Sequence, residues 1–110
     1  MRSTRARRRE WASTFTADGV FDGPASHAEG HDALAGFCDE LAVQSPGAMH
    51  FTDNHLFEED GDLMRHRCFL SFQVPRDDDT EIWLLAYEDE LIRVDGKWRF
   101  RIRRVAPLNS

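Results

Sequence analysis

The stretch Tyr87 to Val105, YEDELIRVDGKWRFRIRRV, constrains the fold of this chain more than any other. Asp95-Gly96 is a two-residue turn signal, because a type I′ turn needs positive φ at both positions and Asp-Gly tolerates it. Beyond the turn the residues alternate. Lys97, Arg99, Arg101 and Arg103 fall on one face, and Trp98, Phe100 and Ile102 on the other. A period of two is the pattern of a half-buried strand. A two-residue turn also sets the register. Val94 faces Lys97, Arg93 faces Trp98, Ile92 faces Arg99 and Leu91 faces Phe100. In an unbroken ladder Glu90 then faces Arg101, Asp89 faces Ile102 and Glu88 faces Arg103. The two Glu–Arg pairs are each worth about 0.2–1 kcal/mol. The same register puts Asp89 on the apolar face, beside Leu91, Trp98, Phe100 and Ile102. A bulge near the turn would shift the pairing by one.

The rest of the chain supplies the partners for this hairpin. Residues 4–16 read as a helix with Trp11, Ala12 and Phe15 on one stripe, closed by Gly19 as a C-terminal cap. Val20-Phe21-Asp22 reads as a short strand and residues 23–26 as a loop. Ala33 to Val43 is an amphipathic helix, with Leu34, Phe37, Cys38 and Leu41 at i, i+3, i+4, i+7, ended by Ser45-Pro46-Gly47. Three strands follow: Met49 to Glu58, Leu63 to Val74, and Glu81 to Val94. Their turns are Glu59 to Asp62, and Pro75 with the acidic run Asp77-Asp78-Asp79. The last of the three has about fourteen residues against a usual five or six, and such strands curve. The order α-β-α-β-β-β-β is that of an α+β domain, with helices first and an antiparallel meander last. A curled sheet of this kind makes a cone whose mouth holds a small molecule.

Composition narrows the functional classes. The chain has 110 residues, 41% of them hydrophobic and 11% aromatic, enough for one domain with a packed core. No apolar run approaches the ~18–20 residues of a membrane span. The basic start, MRSTRARRRE, is followed by no apolar segment, so it does not read as a secretory signal, and the expected compartment is cytoplasmic. The net charge of −6 argues against a nucleic-acid binder. The basic residues are clustered, at Arg2, Arg5, Arg7, Arg8 and Arg9 and again from Lys97 to Arg104. This fits a solvated helix face and a glutamate-paired strand face, or a phosphate-binding patch. Cys38 and Cys68 are far apart and read as free thiols.

At this point a resemblance enters. The pattern Phe15-Thr16-Ala17-Asp18-Gly19-Val20-Phe21, Gly30-His31-Asp32-Ala33-Leu34, Met49-His50 with Asn54, Tyr87-Glu88-Asp89, and Asp95-Gly96-Lys97-Trp98-Arg99-Phe100 with Arg103 resembles the SnoaL-like families of the NTF2-like superfamily. The hairpin is also similar to the end of ring-hydroxylating dioxygenase β subunits. The resemblance covers about Trp11 to Val105. It implies an NTF2-like cone, with N-terminal helices packed on a strongly curved antiparallel sheet. It implies a pocket between helices and sheet, and a homodimer formed through the sheet. Members include polyketide cyclases, dehydratases, ketosteroid isomerases, epoxide hydrolases and non-catalytic subunits. The enzymes among them use His, Asp and Tyr without a cofactor. One departure stands out. Only ten residues precede Trp11, so the family's long first helix is absent or a basic stub, and the pocket is open on one side or closed by a partner chain.

The candidate chemistry lies in four side chains. His50 matches the family's strand-start histidine, a pocket base or hydrogen-bond donor; the alternative is a structural histidine bonded to backbone or to Asn54. His66 lies between Met64 and Cys68 on an apolar strand face, either satisfied within the core or lining the pocket. Asp89, if desolvated, is a usable base; if paired with Arg65, Arg67 or Arg104, it is not. Tyr87, the only tyrosine, either donates to an enolate-like oxygen or is a buried strand residue. Trp83, Trp98, Phe100 and Phe21 are the expected apolar lining, with Asn54 as a polar contact. Asp18 reads as a turn residue. His27, His31 and His55 do not form a ligand set, and no HExxH or CxxC appears, so neither metal nor cofactor is expected.

Two functions remain open on this reading. One is a cofactor-free lyase or isomerase acting on a small, largely apolar cyclic molecule, with His50 or Asp89 as base and Tyr87 or His66 at the oxyanion. The other is a non-catalytic binding or assembly module. In the dimer implied by the family, Glu88, Glu90, Arg99, Arg101 and Arg103 lie at the subunit contact.

Overall fold

The computed structural model describes residues 4–24 and 26–108. Arg2 of the basic start and Ala25 of the loop lie outside the described residues, as does the side chain of Arg5. The elements are α1 (Thr4–Ser13), β1 (Phe15–Asp22), β2 (His27–Glu29), α2 (His31–Gln44), β3 (Met49–Asp60), β4 (Leu63–Arg76), β5 (Asp79–Val94) and β6 (Lys97–Pro107). They form one sheet in the order β2-β1-β6-β5-β4-β3. β3 to β6 are the expected antiparallel meander, and β1 lies parallel to β6. The two helices cover one face, where Ala12, Phe15, Leu34, Cys68, Leu70 and Tyr87 meet in the buried core.

Three differences from the expected elements have local causes. α1 ends at Ser13, not at residue 16. Thr14 donates its N–H and its hydroxyl to Trp11 O, at 3.1 and 2.6 Å, and its own carbonyl accepts from Phe100 N–H at 2.8 Å. The chain therefore leaves the helix straight into pairing with β6. Gly19 is not a helix cap. It sits where the β1 register slips between Phe15 and Val20, and a Cβ there would lie 2.7 Å from Phe15 Cβ and 3.0 Å from Phe100 O. Only glycine admits that approach. β2, a three-residue strand, forms inside what reads as loop and pairs with β1 through Val20–Glu29 and Asp22–His27.

The long strands are as expected, slightly extended. Pro75 is inside β4, paired with Thr80, rather than in the turn. β3 pairs only as far as Gln73, so beyond that point β4 has one neighbour and a missing N–H costs no ladder bond. The Asp95-Gly96 turn has φ of 51° and 76°, as a type I′ turn requires. Four pairs beyond it match the expected register, down to Leu91–Phe100. Then the ladder slips. Glu90 faces Ile102, Asp89 faces Arg103 and Glu88 faces Arg104, leaving Arg101 as the extra residue of a bulge. The expected Glu88–Arg103 and Asp89–Ile102 pairs do not exist. Arg101 still reaches Glu90 at 3.1 Å. The slip turns Ile102 to the outer face and Arg103 to the inner one.

Helix α1 is bound to α2 by charge as well as by its apolar stripe. Arg9 reaches Asp32 at 2.7 Å and holds its carboxyl below the usual range, and Arg8 pairs with Asp39.

Candidate functional site

Four neighbouring strands of the meander each contribute one polar side chain to a single line. His66, in the middle of β4, stands directly opposite Asp89 of β5, which stands directly opposite Arg103 of β6. Asp89 Oδ2 accepts from His66 Nδ1 at 2.8 Å. Both carboxylate oxygens accept from Arg103, from Nε and Nη2, each at 2.9 Å. The Asp89 side chain is fully buried and that of Arg103 is 16% exposed. The guanidinium lies 3.8 Å over the Tyr87 ring and 4.3 Å over Phe100, which hold its plane in place.

The line continues into β3 because that strand is also bulged. Its register slips between Asp53 and Leu56, and Asn54 at the slip has φ of 54°. Asparagine tolerates this left-handed backbone. The extra residue turns His55 onto the face of His66. His55 Nδ1 lies 2.8 Å from His66 Nε2, the two rings stack at 5.1 Å, and Phe57 stacks on His66 at 4.5 Å.

Hydrogen-bond accounting assigns the protons along the neutral line. Asp89 is acceptor only, so His66 carries its proton on Nδ1 and offers the Nε2 lone pair. His55 therefore donates from Nδ1, and its own Nε2 is the free lone pair. His66 is 7% exposed, whereas His55 is exposed. The line thus runs from a buried ion pair to an imidazole in contact with solvent.

A family profile for the SnoaL-like domain matches residues 4–104. The chain belongs to the SnoaL-like family. No curated protein matches its sequence. Among solved structures, this SnoaL-like domain is similar to a variant of Rv3472 from Mycobacterium tuberculosis, a protein described as of unknown function, at 28% identity and a TM-score of 0.83. The match covers 94% of this chain and 62% of that one, so the chain spans about six-tenths of that protein's length. It is also similar to an NTF2-like protein with a cystatin-like fold from Novosphingobium aromaticivorans (19% identity, TM-score 0.85, covering 97% and 73%). A third is a putative scytalone dehydratase from Novosphingobium aromaticivorans (22% identity, TM-score 0.76, covering 89% and 68%). These likenesses establish the NTF2-like fold.

Within the SnoaL-like domain the expected site residues separate into groups. His66 and Asp89 are together, as described. Asp89 is not a lone desolvated carboxylate, because Arg103 holds it bidentately, and the arginine is neither Arg65, Arg67 nor Arg104. Tyr87 is buried opposite Cys68, where burial pushes its phenol pKa up. His50 is not beside them. It stands opposite Phe72, further along β4, with the rings 4.8 Å apart, and desolvation together with the Arg103 charge pushes its imidazole pKa down. Asn54 is the bulge residue and also lines a groove with His55.

The expected apolar lining is dispersed. Phe21 packs on Phe37 at 4.7 Å inside the core, and Phe100 lies under Arg103. Trp98 is covered by Arg93 at 4.6 Å. Trp83 is exposed and donates to Glu81 at 2.9 Å. The two grooves described border the polar line instead. One of about 650 Å³ has His66, Asp89 and Phe57 in its wall with charged residues such as Arg65, Arg67 and Glu88. The other, of about 470 Å³, is lined by Asn54, His55, Arg67, Cys68, Phe69 and Ala86, among others.

Two members of the line, His55 and Arg103, escape the sequence reading, each because a bulge reverses its face. Asn54 is the available signal for the first. For Arg103 the sequence points the wrong way, since the Glu90 and Arg101 charges favour an unbroken ladder.

Proposed function

We propose that this SnoaL-like domain is a small-molecule acid–base enzyme of the lyase or isomerase type. Its substrate class is a small, largely apolar cyclic molecule bearing a carbonyl or hydroxyl. The observation that carries this reading is the unbroken hydrogen-bonded line Arg103–Asp89–His66–His55, ending on the exposed side chain of His55. His55 Nε2 takes a proton from the substrate. The charge passes inward as His55 Nδ1 gives its proton to His66 Nε2, which sets an imidazolium against the Asp89 carboxylate. Asp89 and Arg103 are positioning residues: they fix the His66 tautomer and stabilise its charged form. Returning the proton to a departing hydroxyl completes a dehydration; returning it to another carbon completes an isomerisation. Tyr87, whose phenol pKa burial pushes further up, is the hydroxyl donor of this reading.

The test is a turnover screen of cyclic ketones and hydroxyketones on the full chain. General acid–base groups contribute about 10²–10⁴-fold, so His55→Gln should lose at least about a hundredfold in kcat on any hit. Asp89→Asn should lose activity with an altered pH profile. Undiminished turnover in both variants removes the assignment.

A second reading, an assembly or binding module, is favoured by the outer face of the sheet. Phe51 and Leu84 both flank Ser71 there, 51% and 53% exposed, with Phe69 and Ile82 nearby. Such a contiguous apolar strip favours a homodimer through the sheet. Arg103 cannot belong to that contact, since it faces inward, and Arg99 is engaged with Ser13 O at 2.6 Å. Sedimentation should give a dimer for the unaltered chain and a monomer for Leu84→Glu; a monomeric unaltered chain refutes the contact.

A further inference from the structure

The line of polar groups has a second chemical capacity, which does not rest on the acid–base reading. One ring nitrogen each of His55 and His66 and the Cys68 Sγ lie within 4.8 Å of one another, and His55 Nδ1 is 2.8 Å from His66 Nε2. The geometry points to a three-ligand site for a borderline-soft divalent ion of the zinc class at this place. Sequence spacing conceals it, because His55 faces inward only through the Asn54 bulge, and that bulge sets Asn54 and His55 across from Cys68.

Four observations support the set. First, the ligand atoms are the right kind: two imidazole nitrogens and one sulfur select zinc-like ions over magnesium or calcium, which take oxygen. Second, the outer partner is already present. A ligating histidine characteristically gives its other N–H to a carboxylate, which fixes the ring and raises its basicity. His66 does this to Asp89 at 2.8 Å, and Arg103 in turn holds Asp89. The free lone pair of His66 therefore points away from Asp89, towards His55.

Third, the distances need changes of about an ångström. With Zn–N of about 2.0–2.1 Å and tetrahedral angles, two ligating nitrogens stand about 3.3 Å apart. The His pair, now 2.8 Å apart across a shared hydrogen, opens by about half an ångström. With Zn–S of about 2.3 Å, sulfur stands about 3.6 Å from each nitrogen, so Cys68 Sγ, now within 4.8 Å of them, closes in by up to about 1.2 Å. β3 is the outermost strand of the sheet and exposed along its length, so it is the element free to make this adjustment. Fourth, there is an entry path. His55 is exposed and, with Cys68, borders the 470 Å³ groove, which leaves a fourth position for water.

Proton balance is simple. His55 ligates through Nδ1 and carries its proton on Nε2, and the Cys68 thiol gives its proton to solvent. The ion takes the lone pair that passes charge from His55 to His66 in the acid–base reading. The metal-bound and proton-relaying forms are therefore alternatives.

Cobalt(II) is the probe. The full chain, stripped with a chelator, is titrated with cobalt(II) and read by absorbance. The expected result is saturation at one ion per chain, with tetrahedral ligand-field bands and a thiolate-to-cobalt band in the near ultraviolet, all displaced by zinc. Cys68→Ser should lose the thiolate band and Cys38→Ser should keep it. His55→Ala should weaken binding about tenfold or more; its side chain is exposed, so the variant leaves the core closed, and circular dichroism verifies the fold. No cobalt uptake, a thiolate band that survives Cys68→Ser, or unchanged affinity in His55→Ala each overturns the site. The readout is spectroscopic, so this inference and the acid–base proposal fail separately.

Discussion

The two faces of the β4–β5–β6 ladder carry the same kinds of residue to opposite effect. On the outer face, Glu90 meets Arg101 at 3.1 Å with side chains 22% and 57% exposed. One residue away on the inner face, Asp89 meets Arg103 with side chains 0% and 16% exposed. Both are acid–arginine pairs across the same two strands. The outer pair is solvated, screened and worth about 0–1 kcal/mol. The inner pair is desolvated and bidentate, and it is also bonded to His66. Its formation offsets a large desolvation penalty, so its net value is modest, but removing one partner leaves a buried charge with nothing to meet it. What separates an ordinary surface pair from the anchor of a candidate site is a one-residue slip in the ladder.

The largest expected effect comes from breaking the inner pair. Arg103→Met should cost about 3–5 kcal/mol in chemical denaturation, because Asp89 stays buried and unpaired. Arg103→Met combined with Asp89→Leu should recover much of that loss, since two apolar side chains replace two charges. A single variant that unfolds with unchanged midpoint would make the inner pair no different from the outer one.

Next in size is the bulge that delivers His55. Asn54→Val places a β-branched residue at φ of 54°, which costs about 1–2 kcal/mol. Asn54→Gly should be close to neutral. If β3 relaxes to a regular ladder in Asn54→Val, His55 leaves His66, and nitrogen-15 spectra of the imidazoles should show the loss of the shared hydrogen bond. The same spectra for Asn54→Gly should match the unaltered chain.

These two bulges also mark the limit of what the sequence discloses. Period-two alternation locates β4, β5 and β6, the Asp95-Gly96 turn sets the first four pairs, and the motif order points to the NTF2-like fold. All of that rests on local signals that agree with each other. A bulge is different: it changes which side chains share a face without altering the composition of either strand. His66 and Asp89 are legible because both lie between the bulges and the regular β4–β5 ladder pairs them. His55 and Arg103 lie beyond the slips. The short strand β2 escapes for another reason, as three residues carry too little pattern to be distinguished from loop. Gly19 misleads because a glycine required for close approach and a glycine that ends a helix look alike in sequence.

A smaller effect is expected on the outer face. Arg101→Glu replaces an attraction to Glu90 by a repulsion. The stability change should stay within about 1 kcal/mol and shrink further when salt is raised, because both side chains reach water. A loss as large as that of Arg103→Met would mean that the outer face is shielded, as it would be inside a dimer. Measuring the same variant at a concentration where the chain is monomeric then separates the two explanations.

The subtlest prediction asks whether the inner face is uniform along its length. His50 shares that face with His66, yet it has Phe72 for a neighbour where His66 has Asp89, and desolvation followed by the Arg103 charge pushes its pKa below 6.5. A histidine with a depressed folded-state pKa binds fewer protons folded than unfolded. Its contribution to stability is therefore full above the unfolded pKa of about 6.5 and lost as pH falls from there through the folded value. His50→Gln removes this term. Denaturation midpoints of the two chains should differ by an amount that changes between about pH 7.5 and about pH 5, the unaltered chain losing more stability on acidification. If the two curves stay parallel, His50 is as solvated in the folded chain as in the unfolded one, and Phe72 does not shield it from water.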